Sequence, residues 1–394
     1  MDPRIHIGID NCFAIKRWTK PADWARVVHE LGMKYIEVVP DLEAEPLLTP
    51  DDYRREWVDN VCDAKAKYGV ETVMIYSNNT TYDTIGFAHP DKRVRDSIVD
   101  RWFENFCKLA EGIGADIGYF VHGLSEDILF DREKRAIAQE NVIDCMSRLN
   151  RIAERHGISK AALEQMYTPH QPPFTIDTMI QLMQTVQRQS GKSLYVTEDV
   201  GHHCPFYLRP DADKLQEAFA RYKKDGYIGT WLGSKEALAL FKGETGDKLS
   251  ADTIKAIEAD MDMNVGMFST ERDNDCYEWL KELGCYSPII HMQQTNGTFS
   301  SHAGFTPENN ATGKIHPIKV LKAIKESYEK AERPDMPERV EDIYLIQEVY
   351  MSTKEVGYQG LWRIQQSTDY LRKYIPEDGM RLSELLKRAE TLGE

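Results

Sequence analysis

Short apolar runs alternate with amphipathic stretches along nearly the whole chain, and the two periodicities predict strands and helices in succession. The runs Ile5–Ile9, Tyr35–Val39, Thr72–Tyr76, Ile117–His122 and Ala161–Met166 read as five strands. Leu194–Asp199, Ile289–Gln293 and Ile343–Glu348 read as three more. Helical patterns separate them: one opening at Pro21 and running to Leu31, then Asp51–Tyr68, Asp91–Glu111, Arg132–Arg155 and Ile176–Gln189. Pro317–Ala331 precedes the last strand and Trp362–Tyr374 follows it. Strands that alternate with helices build parallel sheets. Eight of them predict an α/β fold of the (β/α)8 TIM-barrel type. A doubly wound open sheet is the competing arrangement, because strand number alone does not close a cylinder.

One interval breaks the rhythm. Gly201 to Ile289 is too long for a single crossover. It holds a helical pattern at Asp211–Lys224, a Gly/Trp segment at Gly226–Gly233 and more helix after Ser250. The expectation is one domain, 1–394, with an insertion between strands six and seven at about 204–270. A lid, a subunit contact and an elaborated crossover without chemical role all remain open for it.

Barrel sites form at the C-terminal ends of the strands, so ionisable groups at the ends of apolar runs carry the most information. Glu164 closes Ala-Ala-Leu-Glu on strand five, Asp199 ends strand six, His291 follows Pro-Ile-Ile on strand seven, and Glu348 follows Leu-Ile-Gln on strand eight. A single buried carboxylate is commonly an ion pair. Three that converge beside an imidazole repel one another unless a cation neutralises them. Oxygen-rich donors with one nitrogen suit Mn2+ or Mg2+, with Co2+ and Zn2+ also compatible. In Asp199-Val-Gly-His202, Gly201 permits a tight turn that folds His202 back beside Asp199, where it can bind a substrate hydroxyl. His203 is expected to point elsewhere, in a structural or an exposed role.

Composition narrows the partners. The formal net charge of −15 repels a phosphate backbone, so nucleic acid is not expected. No run of ~18 apolar residues is present, so no membrane span is expected. The first ten residues read as a strand rather than a signal peptide, which predicts a cytoplasmic protein. The seven cysteines (Cys12, Cys62, Cys107, Cys145, Cys204, Cys276, Cys285) form no CxxC pair, which removes a zinc knuckle or a disulfide framework. Cys62, Cys107 and Cys145 fall in helical patterns and are expected to be buried thiols.

The segments Leu163-Glu-Gln-Met-Tyr-Thr-Pro-His170, Thr197-Glu-Asp-Val-Gly-His202 and Ile290-His-Met-Gln-Gln294 resemble the xylose-isomerase-like TIM-barrel superfamily. That group includes ketose 3-epimerases, hydroxypyruvate isomerase, inosose-processing enzymes and endonuclease IV. The resemblance spans nearly the whole chain and is specific in its second half. It implies one divalent metal held by Glu164, Asp199, His291 and Glu348, with His202 on the substrate. It also implies a sugar isomerase or epimerase that removes the proton α to the carbonyl of a ketose or ketose phosphate, the resulting enediolate being stabilised by the cation. The sequence departs from the endonuclease pattern: strand three ends in Ile75-Tyr76-Ser77 without a histidine, and neither His302 nor His316 sits in an Asp-x-His element.

Glu164 and Glu348 are the expected catalytic pair; the alternative is that both are ligands only and another group is the base. His122 and Glu37 are candidates to bind a hydroxyl or assist proton transfer, with a hydrogen-bonded core role as the alternative for each. Tyr167, His170 and Gln293 are expected to shape the pocket, and Phe13, Trp18 and Trp231 to offer an apolar wall. Two other functions remain open: a lyase that cleaves C-glycosides after oxidation to a 3-keto-glycoside, and a non-catalytic sugar-binding barrel. Related barrels are often dimers or tetramers, so a homo-oligomer is expected.

Overall fold

The strands close on themselves. In the computed structural model, β1 (Arg4–Asp10), β2 (Tyr35–Val38), β3 (Glu71–Tyr76), β4 (Asp116–Tyr119), β5 (Ala161–Glu164), β6 (Tyr195–Asp199), β7 (Ile289–Met292) and β8 (Asp342–Gln347) form one parallel sheet in chain order. β1 pairs with β2 on one side and with β8 on the other. That double pairing makes a (β/α)8 barrel and removes the open doubly wound alternative. The structure describes residues 1–14, 17–18, 20–40, 43–77, 79–203, 205–351, 355 and 358–391. A short strand the periodicity did not predict, β9 (Met380–Arg381), lies antiparallel on the start of β1.

Several strands stop before the ends read from the sequence. β4 ends at Tyr119 rather than His122, β5 at Glu164 rather than Met166, β7 at Met292 and β8 at Gln347. The polar residues at these ends therefore stand in or beside loops at the mouth of the barrel. The helix expected over Asp91–Glu111 is interrupted: Lys92–Ser97 passes into a π-helical stretch, Ile98–Phe103, before Glu104–Ile113 resumes. The wider turn lets the consecutive aromatics Trp102 and Phe103 both reach the core, where Trp102 stacks on Phe106 with centroids 4.8 Å apart. Cys107 and Cys145 are buried as expected, but Cys62 is exposed, because it falls on the outer face of helix Asp51–Tyr68. Cys204 lies outside the described residues.

Between β6 and β7 the chain forms helices Ala212–Asp225, Lys235–Gly243 and Ala251–Met263 before Cys276–Leu283 packs back on the barrel. The inner faces of the first three build a second apolar cluster around Phe219, Phe241, Ile257 and Met261, separate from the barrel core. Trp231 belongs to this cluster and gives its indole N–H to Met267 O at 2.7 Å. The cluster also takes in Leu129 and Phe130, from the connection after β4, so these helices rise from the C-terminal end of the barrel. No helix among the described residues is long and apolar enough to cross a membrane.

Inside the cylinder, small residues make room for large ones. A Cβ on Gly118 of β4 would stand 2.0 Å from the ring of Tyr76 and 2.8 Å from Met74 Sδ. Tyr76 uses that space to lie across the barrel, its ring centroid 5.3 Å from that of His291. Gly118→Ala is therefore expected to destabilise the fold by about 1–3 kcal/mol, the usual cost of overpacking. A lower urea midpoint with an unchanged slope would show it; an unchanged midpoint would refute the packing argument.

Candidate metal centre

Three carboxylates and one imidazole, each from a different strand end, meet at one point. Glu164 is the last residue of β5, Asp199 the last of β6, His291 lies one residue from the end of β7, and Glu348 is the first residue past β8. One ligand atom from each lies within 4.8 Å of the other three, and all four residues are buried. His291 Nδ1 stands 3.0 Å from Glu164 Oε1 and 3.5 Å from Glu348 Oε2. Among the described residues every ion-pair partner of these three carboxylates is a histidine; no lysine or arginine reaches them.

The imidazole is held from behind. Its Nε2 faces both oxygens of Glu37, on β2, at 3.1 and 3.2 Å. With Nε2–H given to Glu37, the Nδ1 lone pair points into the cluster, the orientation a metal-binding histidine needs. Asp10 stands beside Glu37 in register on β1, and burial together with Glu37 pushes its carboxyl well above the usual range. That environment favours the protonated form of Asp10, which hydrogen-bonds to Glu37 and accepts from the backbone N–H of Cys12. Burial works against a charge on His291, but Glu37, Glu348 and Glu164 outweigh it and raise the imidazole well above its ordinary value. For Asp199, burial is likewise outweighed, here by His202, His302 and His291, which hold its carboxyl below the usual range.

The remaining sequence candidates divide between the cluster and its supports. His202 folds back as expected: Nε2 is 3.2 Å from Asp199 Oδ2, and Nδ1–H donates to Gln165 O at 2.6 Å. The turn needs glycine at 201 for a reason other than a left-handed backbone. A Cβ there would meet the Gln293 side chain at 2.2 Å. Gln293 donates to both oxygens of Asp199 at 2.9 Å, so it braces that carboxylate. Tyr167 lies against His202, with centroids 4.5 Å apart, and shares a hydrogen bond with Tyr82. His170 gives Nδ1–H to Leu124 O at 2.8 Å and ties two loops together. His122 is fully buried, donates Nε2–H to Pro172 O at 2.5 Å, and is lowered by burial to about 4, so it is neutral at ordinary pH. His203 is buried rather than exposed. Phe13 is buried with Trp18 against it, at a centroid separation of 6.0 Å.

Four residues of the site had no assigned role in the sequence reading. Asp10 obeys the same rule as the others, an ionisable group closing the apolar run Ile7-Gly-Ile, and could have been found by it. His302 and Tyr350 lie on loops and Tyr82 ends the short helix Asn79–Tyr82, and only the folded chain brings them to the barrel mouth. His302 Nδ1 is 3.2 Å from Glu348 Oε2. Burial opposes its charge, but Glu348 and Asp199 raise it to about 9.

The donor set fits a divalent cation. Glu348 Oε2 is buried with only the ring nitrogens of His302 and His291 near it, at 3.2 and 3.5 Å, so one contact from His302 still leaves a lone pair for an ion. Three oxygen donors and one nitrogen match the hard-to-borderline divalent metals.

A closed (β/α)8 barrel whose strand ends carry a buried cluster able to hold a divalent metal defines the class. The chain belongs to the xylose isomerase-like TIM barrel family, whose model matches residues 25–231. No curated protein matches it. Among solved structures it is similar to a candidate xylose isomerase from Rhodospirillum rubrum ATCC 11170. That pair is 18% identical at a TM-score of 0.64, over 94% of this chain and 99% of that one. An L-ribulose 3-epimerase is 11% identical at a TM-score of 0.55, over 99% and 98% of the two chains. A D-tagatose 3-epimerase-like protein is 13% identical at 0.53, over 98% and 99%. At these identities the likeness concerns the fold.

The raised imidazole has a consequence for binding. The carboxylates that raise His291 favour its protonated form, and a cation would compete with that proton. Affinity for Mn2+ is therefore expected to climb as pH rises, with protons released on binding. Calorimetric titration of metal-free protein between about pH 6 and 8, in buffers of different ionisation heat, measures both. An affinity independent of pH would contradict it.

Proposed function

We propose that the chain is a divalent-metal-dependent sugar isomerase or epimerase that acts on a ketose or ketose phosphate by removing the proton α to the carbonyl. The observation that carries this reading is the convergence of Glu164, Asp199, His291 and Glu348, buried, with only histidines as counter-charges among the described residues. Mn2+ or Mg2+ is the proposed ion, and it would supply a Lewis acid that stabilises negative charge on the substrate oxygen.

The chain's own residues account for the rest. Glu164 and Glu348 come from the ends of β5 and β8, with β6 and β7 between them, yet both reach within 3.5 Å of the same ring nitrogen. One carboxylate takes the α-proton; the other, starting as a carboxylic acid, gives its own proton to the opposite face, which epimerises the carbon, or the first returns the proton it took to the neighbouring carbon, which isomerises ketose to aldose. His202 and Tyr167 are proposed to face the substrate hydroxyls. Glu37 with Asp10 behind it orients His291, and Gln293 orients Asp199, both as positioning residues. His122 and His170 hold the loops that frame the mouth. Residues 204–270 are proposed as an insertion within a single domain, 1–394; their separate apolar cluster supports this.

Elemental analysis of the purified protein should find close to one equivalent of a divalent metal, lost in His291→Ala. With ketoses in heavy water, the wild type should incorporate deuterium at an α-carbon as the sugars interconvert. Glu164→Gln and Glu348→Gln should each slow that exchange by roughly 10²–10⁴-fold. Wild-type protein without metal, or exchange unaffected by both substitutions, would refute the reading. Aglycone release from a 3-keto-glycoside without interconversion would replace it with the lyase.

A further inference from the structure

The loop after β7 does not simply leave the barrel. It turns back, so that Gln294 bridges antiparallel to Ala303, its N–H donating to Ala303 O at 2.7 Å. The return delivers His302 to the mouth with φ of 45°, in the left-handed region. A non-glycine residue there is strained and persists only where its surroundings impose it. The surroundings are visible. The His302 N–H donates to Gln293 Oε1 at 2.6 Å, Nε2 lies 3.2 Å from Ser300 Oγ, and His302 O accepts from Tyr350 N–H at 3.3 Å. The imidazole stacks on the Tyr350 ring with centroids 4.3 Å apart and an interplanar angle of 8°.

This stacked pair meets Glu348 one residue per oxygen. His302 Nδ1 stands 3.2 Å from Oε2, and Tyr350 OH donates to Oε1 at 3.2 Å. Glu348 has just left the strand ladder: its N–H still bonds to Met292 O at 3.2 Å, but no further strand pairing follows to orient the side chain. We infer that the His302–Tyr350 stack is a positioning unit that sets the plane of the Glu348 carboxylate, and that the strain at His302 is retained for that purpose. The inference rests on the proposed role of Glu348 in proton transfer. His302 and Tyr350 act through Glu348, and neither is a catalytic residue in its own right.

The test separates a positioning role from a structural one. His302→Gly removes the ring and also relieves the left-handed strain, so its urea midpoint should equal or exceed that of the wild type. At saturating metal, its kcat for ketose interconversion should fall about 10- to 100-fold, with KM within threefold. Added imidazole should restore part of the rate, and His302→Asn, which tolerates the backbone, should lie between Gly and His. Tyr350→Phe removes one hydroxyl from a partly exposed ring and should lower kcat in the same way. Its effect should shrink in the His302→Gly background, since both act on one carboxylate. A loss confined to KM, full additivity, or no change in kcat for His302→Gly and Tyr350→Phe while Glu348→Gln is impaired overturns the inference and leaves the function standing. No effect of Glu348→Gln itself overturns both.

Discussion

Everything at the mouth of this barrel answers to one electrostatic constraint: carboxylates from three strands are buried within 4.8 Å of one another. At an effective dielectric of ~20, two unit charges at such a distance repel by about 3–4 kcal/mol. Three such pairs come to about 10 kcal/mol, comparable with the whole stability of a typical domain. The cluster is therefore untenable as bare anions. Without an ion, protons fill the deficit: burial raises Glu348, His291 is raised by its carboxylate neighbours, and His302 is raised to about 9. A divalent cation would do the same work with one particle. The stored repulsion thereby amounts to affinity for positive charge.

The barrel is the means of holding that arrangement still. Parallel strands all present their C-terminal ends at one face, so residues more than a hundred positions apart converge without any long loop. Immediately behind the cluster the structure spends further polar groups on orientation: Glu37 and Asp10 behind His291, Gln293 behind Asp199, and His302 with Tyr350 beside Glu348. Small residues in the layer beneath, such as Gly118, leave room for Tyr76 to support the His291 ring. Packing and chemistry are thus coupled through single side chains.

How much of this was legible follows from what is local. The succession of strands and the four groups at their ends could be read because each depends on a short apolar run and the residue that ends it; Asp10 could have been added by the same rule. Closure could not be read that way, since an open doubly wound sheet fits the same succession. Exact strand ends could not, since the point where β4 or β5 leaves the ladder depends on its neighbours. The exposure of Cys62 was misjudged because a helical pattern alone does not say which face looks outward at each turn. His302 and Tyr350 were illegible for a deeper reason. Their position depends on a loop folding back across β7 and on a left-handed residue held by side chains from elsewhere, and no local spacing encodes that.

The same division bears on specificity. The four cluster residues sit at or beside strand ends, where the backbone has little freedom, and a shared ligand set defines a common kind of chemistry rather than a substrate. The rim around the cluster is built from the connections that follow the strands: Tyr82 after β3, Tyr167 after β5, His202 after β6, His302 after β7 and Tyr350 after β8. Loops tolerate change at small cost to the core. The long segment after β6, with an apolar cluster of its own, extends that rim without disturbing the cylinder. A barrel of this kind can therefore keep one buried cluster and vary what surrounds it by altering the rim. In this chain the rim is rich in phenol and imidazole rings, surfaces that pair an apolar face with a polar edge.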